Sequence, residues 1–326
     1  MPEMMQAIAT SKDSPLTFES LERPSPSPQE VVIDIRAAGL NRADLVQRKG
    51  LYPPPPGAPQ TMGLECAGLV AEVGEGVKRW KVGDRVCALL AGGGYAEAVA
   101  VDEGSVLPIP AGFDFVRAAA LPEAMMTVWA NVFDRCELAE GEDFLCQGGT
   151  SGIGVMAIQM ARVAGANYIA ATAGSDEKCQ LIHDLGADAA INYRSQDFAE
   201  EIRTRGGVDV ILDMVGGDYV QKHIDIIKIN GRICNIAFQN GPEVSLNLMR
   251  LMLKRGILTG TTLRARSAEE KRRIRDAVES TFWPHVESGR IRPVIDSTYP
   301  LAEAEAAHAH MSKGGHSGKI ILVREV

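Results

Sequence analysis

A basic excess, a long apolar run and closely spaced cysteines are all missing from this sequence, and each absence removes a class of function. Its 34 Lys and Arg are outnumbered by 42 Asp and Glu, for a net charge of −8. Surfaces that hold nucleic acid or anionic lipid carry a positive excess, so no nucleic acid and no membrane is an expected partner. No stretch of about 18 uncharged apolar residues occurs, and the opening residues have no basic segment leading into an apolar one. A soluble, unexported, cytoplasmic protein is expected. The six cysteines (Cys66, Cys87, Cys136, Cys146, Cys179, Cys234) are scattered, with no two closer than Cys136 and Cys146. Such spacing offers neither a CxxC pair for zinc nor a small disulfide framework, so reduced, mostly buried thiols are expected. Neither a GxSxG elbow nor a GxxxxGK(S/T) loop is present, which argues against a serine hydrolase and a nucleoside triphosphatase. His308 and His310 stand two apart in an Ala-rich helix and face different ways, so they cannot chelate one metal and are expected at the surface.

What is present divides in two. A chain of 326 residues exceeds one compact core, and 45% hydrophobic residues suffice for two. The first third is rich in Gly, Pro and short β-branched runs (VVIDIRAAG, GLVAEVG, YAEAVAV, VLPIP), the texture of an irregular, mostly antiparallel β domain. The Pro53 to Pro56 run makes Leu51 to Gln60 a loop. From about Glu123 apolar strands alternate with amphipathic helices (DFLC, NYIAAT, VDVILDMVG, GRICNIAF), as in a parallel sheet with helical crossovers. Ile153, Met156, Ala157, Met160, Ala161 and Ala164 share one helix face, which should lie on that sheet. After about Arg264, Ser267-Ala-Glu-Glu270 is a capping box, and the closing Gly318-Lys-Ile-Ile-Leu-Val strand is expected to return to the β domain.

The strand Phe144-Leu-Cys146 runs into Gln147-Gly-Gly-Thr-Ser-Gly-Ile-Gly154 and then a helix. Free N–H groups at the positive end of that helix, and glycines that admit a pyrophosphate to the main chain, point to dinucleotide binding by Gly149, Ser151, Gly152, Ile153 and Gly154. The spacing is GxxGxG rather than the usual GxGxxG. An NAD-binding unit usually carries an acid at the tip of its second strand, about 20 residues beyond the glycines. Here that strand ends in Ala171-Thr-Ala-Gly-Ser175-Asp-Glu-Lys178, with small Gly174 and Ser175 at the tip and Lys178 one turn into the next helix, placed to meet a 2′-phosphate. NADP(H) is the expected cofactor, and Asp176 and Glu177 are read as charges favouring the helix start.

Ala38-Gly-Leu-Asn41-Arg-Ala-Asp44-Leu-Val-Gln-Arg48-Lys-Gly50-Leu-Tyr52-Pro resembles the signature of the zeta-crystallin-like quinone oxidoreductases of the medium-chain dehydrogenase/reductase superfamily. The likeness continues through Gly63-Leu-Glu65-Cys-Ala-Gly68, Leu121-Pro-Glu-Ala124, the glycine turn, Gly186-Ala-Asp-Ala-Ala-Ile-Asn-Tyr193 and His316-Ser-Gly-Lys319-Ile, so it spans essentially the whole chain. The Asn-Arg-Ala-Asp wording and the Pro-rich loop are most similar to the tumour-suppressor-inducible branch. The resemblance implies an α/β protein: a GroES-like, mostly antiparallel β catalytic domain (residues 1–123 and 265–326) and a Rossmann domain with a parallel sheet (124–264). Zinc-dependent relatives place a cysteine where this chain has Asn41 and a histidine where it has Leu64, and they carry a four-cysteine lobe that is missing here. No metal is therefore expected, and Glu65 is read as a buried structural carboxylate.

By the same resemblance, the active site lies in the cleft between the domains, where Asn41 and Tyr52 line the substrate side. Thr127 contacts the cofactor, Tyr193 touches its adenosine ribose or phosphate, Phe238 and Leu263 border the nicotinamide, and Lys319 reaches across to it. Hydride transfer to a quinone asks for approach and orientation more than for an acid or metal. Asn41 is expected to donate to the accepting oxygen, and Tyr52 to wall or protonate the substrate. An NADPH-dependent enone or enoyl reductase and a non-enzymatic, crystallin-like nucleotide-binding protein are the alternatives. The Gly256-Ile-Leu-Thr-Gly-Thr-Thr-Leu run resembles the edge strand through which family members pair, implying a homodimer.

Overall fold

The computed structural model describes residues 2–9 and 15–324. The chain forms two compact units, Met1–Met126 with Leu263–Glu287 and Pro293–Val326, and Thr127–Thr262 with Ser288–Arg292. The first division falls inside the helix Pro122–Val128, which runs on into a π-helical turn at Trp129–Phe133.

The first unit is built on a seven-stranded sheet. In order it runs Ile295–Pro300, Lys319–Val323, Glu30–Gly39, Glu65–Val73, Arg85–Leu89 and Val106–Pro108, with Ala98–Asp102 pairing on Glu30–Gly39. Only the pair formed by Ile295–Pro300 and Lys319–Val323 is parallel; the rest are antiparallel. The closing strand thus rejoins the β unit as its sequence texture suggested. Alternation explains the core: Val31, Ile33 and Ile35 meet Val70, Val86, Ala88 and Val99 on one face of the sheet. Two registers carry consequences for the site. The pairing of Gly39 with Ile321 and of Ala38 with Cys66 brings Asn41, Glu65 and Lys319 to neighbouring strand ends. Gly39 has to be a glycine there, since a Cβ would overlap Glu65 Oε1 and the Ala119 carbonyl.

The second unit carries a six-stranded, wholly parallel sheet, ordered Ala189–Asn192, Tyr168–Ala173, Asp143–Cys146, Val208–Asp213, Ile227–Asn235, Ile257–Gly260. Leu145, Ala170, Ile211 and Ile233 sit in its core with Phe198, Ile202 and Ile224 from the crossover helices. The sequence places Ser288–Arg292 with the β domain, but these residues group with this unit: the Gln159 amide donates to the Arg292 carbonyl and accepts from its N–H.

All six cysteines are free; five are buried and Cys179 is half-buried. Among the described residues no helix is long and apolar enough to cross a membrane. His308 corrects the expectation of a surface residue. It is 1% exposed and its Nε2 lies 3.2 Å from the Tyr95 hydroxyl. Its helix, Ala304–Lys313, buries Ala304, Ala307, His308 and Met311, one stripe at i, i+3, i+4 and i+7.

Candidate functional site

In the second unit the strand Asp143–Cys146 ends at Gln147 and the turn Gly148–Ser151 leads into the helix Gly152–Val163. Ser151 caps the helix, its Oγ accepting from the Gly154 N–H at 3.0 Å. The N–H groups of Gly152 and Ile153 lie in the helix's first turn, where no intrahelical acceptor exists for them. The glycines are there for closeness. A Cβ on Gly154 would strike the Gly148 carbonyl and the Gly149 backbone, and one on Gly149 would strike Ala171 and Ile182. Gly148 has φ +69°, the left-handed region that favours glycine.

Beneath the turn lies a buried polar chain that the sequence did not reveal. The Gly148 N–H donates to Thr172 Oγ1 (3.1 Å), the Thr172 hydroxyl to Gln147 Oε1 (2.7 Å), and Gln147 Nε2 to His223 Nε2 (3.0 Å). Accepting at Nε2 leaves the His223 proton on Nδ1, 3.7 Å from Asp213 Oδ2. Burial holds His223 down to about 3, so it is neutral. Asp213 in turn accepts from the N–H groups of Val215 and Gly216 and from Asn235. The only signal was an Asp closing an apolar strand.

At the tip of Tyr168–Ala173, Ser175 caps the helix Asp176–Asp184, its Oγ accepting from the Lys178 N–H. Asp176 and Glu177 lie in that helix's first turn, and Asp176 Oδ1 accepts from Asn192 Nδ2 at 2.7 Å. The Tyr193 ring is half exposed and its hydroxyl closes over Gly174, where a Cβ would also come within 3.5 Å of Arg194 Nε. Gly174, Ser175, Lys178 and Tyr193 therefore converge at adjacent strand ends. Arg194, an exposed guanidinium with no carboxylate in ion-pair range among the described residues, joins them. No separate signal marks it in the sequence, although it directly follows Tyr193. Elsewhere in this unit Thr127 is buried, its carbonyl accepting from Asn131 Nδ2, and Phe238 is 46% exposed beside Gly216.

In the first unit Asn41 precedes the helix Arg42–Arg48 and is 8% exposed. Its N–H donates to Asp44 Oδ2, its Oδ1 accepts from Lys319 Nζ (2.7 Å), and its Nδ2 donates to Glu65 Oε1 (3.0 Å) and the Gly39 carbonyl (3.3 Å). Both amide hydrogens thus have protein acceptors. Lys319 is held in the same way. Its ammonium is buried on Leu40 O (2.8 Å), Asn41 Oδ1 and Glu65 Oε1 (2.5 Å), so its three donors each have a protein acceptor. The cause is Glu65, fully buried, which draws the nearest cation while its Oε2 accepts from the Glu123 N–H. Asp44 accepts from Tyr95 and Gly63, and burial lifts its carboxyl to about 6. Tyr52 is half-buried, with the Arg264 guanidinium 5.2 Å over its ring and bonded to its carbonyl (3.0 Å). Burial raises the Tyr52 phenol, against the pull of Arg264, so it stays protonated at neutral pH. Leu263, the neighbour of Arg264, is 9% exposed.

Leu64, where zinc-dependent relatives are expected to carry a histidine, is buried, and among the described residues no group of three or more His, Cys, Asp or Glu is placed to hold a metal. Residues 27–111 match the family model described as an alcohol dehydrogenase GroES-like domain, and residues 185–322 the one described as a zinc-binding dehydrogenase. The quinone oxidoreductase of Rattus norvegicus is 31% identical over 305 residues, 92% of this chain and 91% of that one. The solved structure of the Thermus thermophilus quinone oxidoreductase, determined also as its complex with NADPH, is 30% identical with a TM-score of 0.84, covering 98% of this chain and all of that one. The CurK enoyl reductase structure is 27% identical with a TM-score of 0.84, covering 99% of each chain.

Proposed function

This chain belongs to the zeta-crystallin-like quinone oxidoreductases of the medium-chain dehydrogenase/reductase superfamily, and from that premise we propose that it transfers hydride from NADPH to a quinone or similarly conjugated carbonyl, without zinc. The observation that carries the cofactor choice is the tip of Tyr168–Ala173. Its strand ends in small residues, and the nearby acids Asp176 and Glu177 belong to the next helix's first turn, with Asp176 bonded to Asn192; Ser175, Arg194 and the Tyr193 hydroxyl stand together beside the helix start that carries Lys178, a set that suits a 2′-phosphate. The pyrophosphate would lie on the N–H groups of Gly152 and Ile153, with Thr127, Phe238 and Leu263 along the nicotinamide half.

When bound, the nicotinamide supplies the hydride, so the protein's task is to bind, orient and supply a proton. Tyr52, a neutral phenol whose proton burial holds more tightly against the pull of Arg264, is the proton donor to the developing hydroquinone oxygen in this proposal. Asn41, held at both ends of its amide, is a rigid wall beside it. A second reading, reduction of an enone or enoyl substrate, is favoured by the likeness to CurK enoyl reductase. A cytosolic homodimer completes the proposal. Its support is the unpaired edge strand Ile257–Gly260 and the adjoining helix Leu248–Leu253, which buries none of its residues and leaves Leu248, Met249, Met252 and Leu253 more than 60% exposed.

The test is NADPH oxidation, followed by its near-ultraviolet absorbance, against ortho- and para-quinones and enones, repeated with NADH and after chelation. Chelator-resistant turnover of quinones with NADPH preferred is the expected result. Turnover of enones alone would move the assignment to the alkene reductases, and cofactor binding with no turnover would overturn the enzymatic reading.

A further inference from the structure

We propose that a cavity in the first unit, behind the proline-rich loop, binds a small oxyanion, a carboxylate or phosphate group, on Arg264 and Lys271. It encloses about 410 Å³ between the Pro55–Pro59 loop, the Leu89–Gly92 segment that follows strand Arg85–Leu89, the strand Ala98–Asp102 and the segment from Arg264 to Lys271. That volume lies within the range of small-molecule sites. Every residue that lines it belongs to the first unit, so the inference does not depend on the dinucleotide reading.

The argument is one of unbalanced charge. Arg264 is 5% exposed and donates from Nε to the Ala91 carbonyl (2.7 Å), from Nη1 to the Tyr52 carbonyl (3.0 Å) and from Nη2 to Gln47 Oε1 (2.9 Å). A guanidinium has five N–H groups, so two are unspent, and none of its acceptors carries charge. Lys271, half-buried, donates to the Arg264 carbonyl (2.9 Å) and likewise has no carboxylate in ion-pair range among the described residues. Two carboxylates also line the cavity, but each has partners. Asp102 Oδ1 accepts from the Gly104 N–H and from Arg272, and Glu30 Oε2 from the Ser27 N–H. Burial lowers the Lys271 ammonium and the Arg264 charge lowers it further, against the pull of Asp102. The positive end of the helix Ala268–Thr281 lies in the same wall, since Ala268 is both its first residue and a lining residue. Buried charge of one sign is costly without a counter-charge, and a ligand oxyanion would supply it to both cations at once. The anion would then share a guanidinium with Tyr52, the proposed proton donor.

The decisive experiment is isothermal titration of the full-length protein, saturated with NADP+ so that the glycine turn is filled, with inorganic phosphate and separately with malonate at constant ionic strength. One saturable site for either probe is expected, weakened tenfold or more in Lys271→Met. A preference for phosphate would mark a phosphorylated ligand and a preference for malonate a carboxylate. Arg264→Lys, which keeps the charge but not the planar fork, should weaken binding as well, and thermal melts of both variants check that they fold. The proposal is overturned if neither probe saturates, if Lys271→Met binds as well as the wild type, or if binding is seen only when NADP+ is left out.

Discussion

Lys319→Met separates a structural lysine from one that serves the cofactor. Methionine keeps most of the side chain's length and removes its charge. In the native protein the ammonium is 5% exposed and donates to Glu65 Oε1, Asn41 Oδ1 and the Leu40 carbonyl. Without it the Glu65 carboxylate retains the Asn41 amide and the Glu123 N–H as donors, while its charge stays fully buried and unpaired. Removing one partner of a buried ion pair costs about 3–5 kcal/mol. For a domain of this size that is a fall of on the order of 10 °C in Tm. The double variant Lys319→Met/Glu65→Gln removes both charges and leaves an oxygen for the Glu123 N–H, so it should recover at least half of the loss. Urea unfolding of the two single variants and the double variant, followed by circular dichroism, completes the cycle, and the KM for NADPH is measured beside it. If Lys319→Met unfolds within about 1 kcal/mol of the wild type while its KM for NADPH rises tenfold, the lysine serves the cofactor and its structural role is refuted.

Other outcomes follow from the same structure. Lys178→Ala and Arg194→Ala should each raise the KM for NADPH about tenfold, the value of one charge-assisted bond, and leave the KM for NADH unmoved; an equal effect on both cofactors would remove these residues from a 2′-phosphate site. Gly154→Ala places a Cβ against the Gly148 carbonyl, so NADPH binding measured by fluorescence should fall at least tenfold with the far-ultraviolet spectrum retained. Burial depresses His223 to about 3 and His308 to about 4, below their unfolded value near 6.5. Their contribution to stability is therefore full above about pH 6.5 and lost as the pH falls toward 4, whereas Asp44, raised to about 6, opposes with a smaller shift. The urea midpoint should drop between pH 6.5 and 4, and a flat profile would contradict the burial of both histidines. Met252→Glu/Leu253→Asp should turn a dimer into a monomer by light scattering, since both side chains are about two-thirds exposed next to the edge strand; a wild type that is already monomeric would remove the dimer.

What the sequence showed well was local. The glycine turn, the alternation of strands and helices, the Ser267 capping box and the small residues at the tip of the second nucleotide strand each depend on neighbours within one turn or one strand. Each stands where its spacing indicated. What it hid was paired over long separations. Lys319 looks like a free cation in Ser-Gly-Lys-Ile, and only the register of Lys319–Val323 against Glu30–Gly39, and of that strand against Glu65–Val73, brings its ammonium to Glu65. His223 and Gln147 are 76 residues apart and meet across the join between the helix Tyr219–Ile226 and the end of the strand Asp143–Cys146. His308 is a different case. Its place in the stripe Ala304, Ala307, His308, Met311 was legible, but a histidine next to alanines reads as a surface residue until the face it shares is considered.

These long-range pairs also bear on the chemistry. Asn41 and Lys319, the polar side chains that looked most available in the first unit, have turned their hydrogen-bonding groups to each other and to Glu65. Among the polar groups nominated there, the Tyr52 hydroxyl is the proposed proton donor, and Arg264 holds that residue by ring and carbonyl. The proposed site then offers one protonated phenol. It suits a reaction whose difficult step belongs to the cofactor and whose acceptor needs at most one proton from the protein. On that argument Tyr52→Phe should lower kcat by about 10²-fold at most and leave the KM for NADPH in place. A loss of all turnover would mean that the phenol does more than deliver a proton, and no loss would leave that proton to water.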